Sequence, residues 1–261
     1  MKKKNLLTNS LIILFSLIVA FFLIEIIMRI TKIEYPIFQT HDYHRGFALR
    51  PGASGWWIRE GKAFVKINSQ GLRDKEYQKE KSPNSIRIAL LGDSFAEARS
   101  IPTNKTFWSL TENKLNLCYK KNNKKIEIIN FGVTEYSSAQ ELLTLRHHVW
   151  DYNPDIVLLA FFSGNDVSDN SKKLTKKKYR PFFVLKDNSL ILDNSFRQTK
   201  PYLMLKSNLG QLAIKISNYS RIMQISREIY VRYYFKSQEK KNLEKNKKIT
   251  HEEGINYLEV F

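Results

Sequence analysis

Between Leu6 and Ile24 the chain runs for nineteen residues without a charge, dominated by Leu, Ile and Phe. As a helix rising 1.5 Å per residue, that stretch covers about 28 Å, close to the hydrocarbon thickness of a bilayer. A helix that is apolar on every side does not suit the surface of a small soluble domain. This segment therefore constrains the fold more than any other. A cleavable signal peptide has a shorter apolar core and ends in small residues at an Ala-x-Ala-like site. Here the run passes through Phe21-Phe22-Leu23-Ile24-Glu25-Ile26-Ile27-Met28-Arg29 with no such site. The expectation is an uncleaved signal anchor over residues 1–30. Lys2, Lys3 and Lys4 predict a cytoplasmic N-terminus by the positive-inside rule, with the remainder of the chain outside the cytoplasm.

That placement decides how the charge is read. Lys and Arg number 43 against 25 Asp and Glu, for a net charge of +18, and the part after the anchor still carries about +15. Outside the cytoplasm nucleic acid is a poor partner for such a surface, while anionic lipid head groups or acidic envelope polymers suit it. A plainly solvated lysine face accounts for the charge equally well. The single cysteine, Cys118, excludes an intramolecular disulfide framework and a cysteine-based zinc site; in its helical context it is expected as a small buried apolar residue. No metal and no cofactor is expected.

Residues 31–84 read as a β-rich connector. Pro51-Gly52, Ser54-Gly55 and Gly61 separate short strand-like pieces such as Ala63 to Ile67, Trp56-Trp57 is expected in a small local core, and Asn68 to Asp74 forms a turn. From Ile86 the pattern becomes alternating strand and helix. The first strand, Ile86-Arg87-Ile88-Ala89-Leu90-Leu91, stops at Gly92-Asp93-Ser94; a helix follows over about 106–121. The second strand is Lys125 to Phe131, ending in Gly132. Ser137 or Ser138 caps a helix that includes Glu141 and continues through Leu145, Val149 and Trp150 to Asn153-Pro154. The third strand is Asp155 to Phe162, ending in Ser163-Gly164-Asn165-Asp166. This alternation predicts βαβ units and a parallel sheet with helices on its faces.

In a parallel sheet the three strand ends lie along one edge, where ligands of open α/β sheets bind. There Ser94 can supply a hydroxyl nucleophile. The backbone N–H groups of Ser94 and Gly132 and the side-chain amide of Asn165 can point at one oxyanion; removing such a donor typically costs about 10²–10³ in rate.

Gly92-Asp93-Ser94-Phe95, then Asn130-Phe131-Gly132 with Tyr136-Ser137 and Gln140-Glu141, then Ser163-Gly164-Asn165-Asp166 together resemble the SGNH hydrolases, the GDSL-type esterase and lipase superfamily. Phe95 stands where the eponymous motif has Leu, and Ser163 where the third block has Gly. Asn68 to Asp74 and the N-terminal anchor resemble a membrane-anchored branch. The resemblance spans about residues 60–185. It implies a flavodoxin-like three-layer α/β/α fold, chemistry on acyl esters, Ser94 as nucleophile, an oxyanion hole of Ser94, Gly132 and Asn165, and supporting roles for Gly92, Asp93 and Asp166. An ester-bearing small molecule or envelope polysaccharide would be the substrate.

The superfamily's general base is a His in a C-terminal Asp-x-x-His block. None of His41, His44, His147, His148 or His251 has Asp three residues before it, and without a base a serine hydroxyl is a weak nucleophile. Residues 167–261 read instead as a basic loop, a hairpin around residues 186–189 and an amphipathic helical stretch from about Leu209 to Lys240; the basic region 171–250 is an insertion or lid. Residues 85–261 are thus expected to form a partial α/β domain: a disrupted gene, a fragment or a pseudoenzyme. The two functions in view are a membrane-anchored ester hydrolase, deacetylase or O-acyltransferase of weak activity, and an inactive envelope protein that binds acidic polymers, lipid head groups or a partner protein.

Overall fold

The computed structural model describes residues 2–120, 123–164, 166–172, 174, 175, 177, 179–234, 236 and 237. Helix α1 (Lys2–Ile30) contains a largely apolar span, Thr8–Ile30, with Glu25 and Arg29 in its last two turns, long enough to cross a bilayer. The connector folds as two antiparallel hairpins, β1 (Gln39–Asp42) with β2 (Gly46–Leu49) and β3 (Ser54–Trp57) with β4 (Ala63–Lys66). Its buried residues Phe38, Phe47, Leu49, Val65 and Ile67 share one cluster with Val133 and Tyr136, which follow β6 below. Trp57 packs against that cluster, whereas Trp56 faces the Lys32 and Lys62 ammonium groups.

The fold is mixed α/β. Three parallel strands form its sheet, with β5 (Ser85–Gly92) between β6 (Lys125–Asn130) and β7 (Ile156–Ala160). Alternation along β5 divides the core: Ala89 and Leu91 pack with Ile129, Phe131, Val149 and Tyr152, while Leu90 packs with Ile126, Ile128 and Trp108. Side chains of successive strand residues point to opposite faces, so one strand supplies both clusters. Trp108 comes from α3 (Phe107–Tyr119), which Thr106 caps by accepting from the Ser109 N–H.

The two outer strands differ. The free edge of β6 is sealed by side chains: Asn116 bonds both the N–H and the C=O of Ile126, Glu112 accepts from the Ile128 N–H, and Asp74 accepts from the Asn130 N–H. On β7, by contrast, Ile156, Val157, Leu158 and Leu159 are 37–50% exposed, although strands of parallel sheets are ordinarily buried on both faces.

The helix expected to run from Ser138 to Trp150 is instead three pieces. α4 (Ser138–Thr144), started by a Ser137–Gln140 capping box, gives way to a π-helical turn over Leu145–Val149 and a 3₁₀ turn over Trp150–Tyr152, which Asn153 ends at φ 50°. The long amphipathic helix expected from Leu209 also breaks, at Ser220, into α7 (Asn208–Tyr219) and α8 (residues 221–234). They follow α5 (Asp166–Asp169), the hairpin β8–β9 (Phe182–Lys186 and Ser189–Asp193) and α6 (Lys200–Lys206). Cys118 corrects its expectation: it is exposed. The inner face of α3 is taken by Trp108, Leu115 and the edge-sealing Glu112 and Asn116, leaving Leu117 and Cys118 on the outside.

Arg87 anchors the sheet's opposite end. It is buried, pairs with Glu127 at 2.8 Å and donates to the carbonyls of Gln78, Lys79, Glu80 and Tyr152. Without Arg87, Glu127 keeps, among the described residues, only the exposed Lys125 ammonium, and four carbonyls lose their donor; breaking a buried pair costs about 3–5 kcal/mol. Arg87→Ala is therefore expected to lower unfolding stability by about that amount, read by urea titration in detergent; a loss no larger than that of an exposed Lys→Ala control would refute this role.

Candidate functional site

β5 ends at Gly92, and Asp93 turns the chain into the single-turn helix α2 (Ser94–Glu97). The Asp93 carboxylate accepts from the Phe95 N–H at 3.0 Å, and Ala98 closes the turn at φ 53° with its N–H on the Ser94 carbonyl. Ser94 is exposed, as the first residue of α2, where backbone donors have no intrahelical acceptor. Beside it lies a cleft of about 530 Å³, with Trp57, Phe95, Ile101, Phe107 and Leu110 in its walls and the cationic Arg99 and Lys105 among them. Such a space accepts an apolar group of moderate size next to the hydroxyl.

Gly132 leaves β6 directly behind α2. A Cβ there would stand 2.5 Å from the Ala96 Cβ and 2.9 Å from the Glu97 amide nitrogen, so only glycine lets the two strand ends approach this closely. Its N–H donates to Asn130 Oδ1 at 2.9 Å, and Asn130 Nδ2 in turn donates to the Ala96 carbonyl. The Gly132 amide therefore stays with Asn130 unless it exchanges that bond for a bound oxygen. Asn165 lies outside the described residues. Its neighbour Asp166, fully buried, accepts from the Phe162 N–H at 2.7 Å. A Cβ on Gly92 would stand 2.8 Å from the Ala96 Cβ and 3.1 Å from the Ala160 Cβ.

The sequence reading gives no role to two groups at this edge, placing Arg73 only within the Asn68–Asp74 turn and Glu141 only within a helix and the second motif block. Arg73, fully buried, donates to the carbonyls of Glu97, Ala98 and Ile101, holding the loop that follows Ser94. It arrives there because Asn68 ties the preceding turn, accepting from the Gln70 and Leu72 N–H groups and donating to the Lys75 carbonyl. Burial lowers the Arg73 guanidinium to about 10 without neutralising it. The second group is Glu141. Burial, with the charges of Asp166 and Asp93 added to it, raises its carboxyl to about 8, so it is mainly a neutral acid at pH 7. Neither of its oxygens has a hydrogen-bond partner among the described residues. The spacing of Glu141, Leu145 and Val149 was the available signal, since it puts a carboxylate on the apolar stripe of its helix.

The described histidines lie elsewhere. His41 and His148 line a separate cavity of about 340 Å³ with Asp42 and Arg45, and His44 stacks on His147 at 3.7 Å between ring centroids. Burial and the Arg45 charge lower His148 to about 4. None of the four lines the Ser94 cleft; His251 lies outside the described residues. Among those residues no group of three His, Cys, Asp or Glu side chains is arranged to hold a metal ion. No protein-family model matches the chain, and a comparison with the curated proteins finds no match.

The buried acids produce a measurable pH dependence. Glu141 has an ordinary value of 4.5 and a folded value near 8. The fold therefore retains a proton that the unfolded chain has released, and the associated stability is complete below about 4.5 and lost as pH rises through 8. Asp166 and Asp74, also raised by burial, act in the same direction. Glu141→Gln is expected to flatten the decline and to make the variant more stable than the parent above pH 8, measured by denaturant titration across pH. An unchanged slope would refute it.

Proposed function

We propose that this chain is a membrane-anchored ester hydrolase or O-acyltransferase of the SGNH type. In this reading Ser94 is the nucleophile of a flavodoxin-like α/β/α domain held outside the cytoplasm by α1. One observation carries it: Ser94 stands exposed on α2, just past the C-terminal end of the central parallel strand, beside an apolar cleft. Attack by Oγ on an ester carbonyl forms the acyl–serine bond and releases the alcohol. Water or a second alcohol then takes the acyl group. The oxyanion donors in this reading are the N–H groups of Ser94 and Gly132 and the Asn165 amide, with Gly92, Asp93 and Asp166 in support.

Each step needs a base to take the Oγ proton and return it to the leaving oxygen. The described histidines are committed to other surfaces. In this reading the exposed β7 strand is surface against which a base-bearing element would pack. This favours slow turnover, and it also favours the second reading, a non-catalytic envelope protein whose cationic surface holds an acidic polymer or head group.

A fluorophosphonate probe separates the two readings. The expected outcome is labelling only slightly above background, lost in Ser94→Ala. Strong labelling lost in Ser94→Ala would establish a full nucleophile and overturn the slow-turnover expectation. Strong labelling retained in that variant would remove Ser94 from the reaction altogether. Salt-sensitive retention on an acidic glycan, with no labelling at all, would leave the binding function.

A further inference from the structure

Helix α7 is amphipathic in an unusual setting. Gly210, Ile214 and Ser217 are buried against the domain. On the opposite face Leu209, Leu212, Ile216 and Tyr219 are 77%, 51%, 46% and 79% exposed. These four recur at the spacing of one helical face. Among the described residues this face is left open except at Tyr219, over which Arg29 of α1 stacks, and its relation to α1 identifies the partner.

The C-terminal end of α7 and the start of α8 are bonded to the last turns of α1. Arg29 donates to the Tyr219 carbonyl at 2.6 Å and stacks over the Tyr219 ring. Glu25 accepts from the Ser220 hydroxyl and from the N–H groups of Arg221 and Ile222, capping α8. Glu25 lies five residues before the end of the apolar stretch, roughly 7 Å along the helix axis. Residues 219–222 must share its depth. Ile26, Ile27 and Ile30 on the same turns are more than half exposed, while Met28 and Glu25 are buried against the domain. Lys215, beside Ile216 in α7, and Lys206, at the end of α6 three residues before Leu209, are both exposed, and long cationic side chains at a membrane surface reach anionic head groups while their stems cover apolar surface.

We infer that α7 lies on the membrane as an interfacial helix, with Leu209, Leu212, Ile216 and Tyr219 inserted at the boundary between head groups and acyl chains of the bilayer that α1 spans. The inference rests on the reading of α1 as a bilayer span. Together α1 and α7 fix the orientation of the domain by two contacts instead of one flexible tether, and set the Ser94 cleft at a constant attitude to the surface.

The test uses the full chain in phosphatidylcholine–phosphatidylglycerol vesicles, spin-labelled at one cysteine at a time. Cys118, exposed on α3, is the native aqueous control. In a Cys118→Ser background, Leu212→Cys and Ile216→Cys report on α7, and Leu17→Cys reports on α1. Labels at 212, 216 and 17 are expected to collide several-fold more often with oxygen than with a water-soluble nickel complex, relative to the label at 118. Water-like values at 212 and 216 with lipid-like values at 17 would overturn the inference and leave the span intact. Labels at 212 and 216 shielded from both reagents would overturn it in favour of a protein contact, such as a second copy. Water-like values at 17 would overturn the span itself, and the inference with it.

Discussion

The candidate site depends on a buried cation that binds backbone. Arg73 spends its guanidinium on three carbonyls of the segment after Ser94, at Glu97, Ala98 and Ile101. Hydrogen bonds from a charged donor are worth about 1.5–3 kcal/mol each, and they hold a helix of only four residues, too short to persist alone. Glu97, buried on that helix, pairs with Arg99 and accepts from the Thr134 N–H. Asn130 ties Ala96 to Gly132. The strand ends are therefore one network, and the exposure of Ser94 is a consequence of how its neighbours are held.

The sheet is sealed on one edge and open on the other. Side chains of Asn116, Glu112 and Asp74 saturate the backbone of β6, so no further strand can add there. β7 carries its apolar side chains into solvent on both faces. The asymmetry matters because the β7 end leads into Ser163, Gly164 and the buried Asp166, the third part of the candidate site. Glu141 sits behind it, mainly neutral at pH 7, so the region holds three carboxylates without three full charges.

The connector and the C-terminal helices act less as appendages than as mounts. Phe38, Phe47 and Val65 share a core with Val133 and Tyr136, and Trp57 forms part of the Ser94 cleft. Ile37 and Tyr35 donate their N–H groups to Asn218 and Gln224, so the segment leaving α1 is fastened to α7 and α8. An apolar core joins the connector to the residues that follow β6, while polar side chains on backbone groups join the end of α1 and its exit to α7 and α8.

Much was legible in the sequence because it is local. An uninterrupted apolar run writes its own helix; a strand-length apolar run ending in Gly-Asp-Ser writes a strand and a turn; Thr106 marks a helix start through its own side chain and Ser137 marks another through the Gln140 side chain that accepts from its N–H. The parallel sheet followed from strand alternation, whereas its order, β6-β5-β7, did not. What the sequence could not carry was long-range pairing. The burial of Arg73 depends on carbonyls 24–28 residues away. The neutrality of Glu141 depends on its burial by other elements and then on the charges of Asp166 and Asp93, and the outward turn of Cys118 on Glu112 and Asn116 claiming the inner face of α3. The break at Ser220 depends on Glu25, 195 residues earlier, which caps the new helix. Periodicity reports which residues share a face. Only the tertiary structure decides what that face meets.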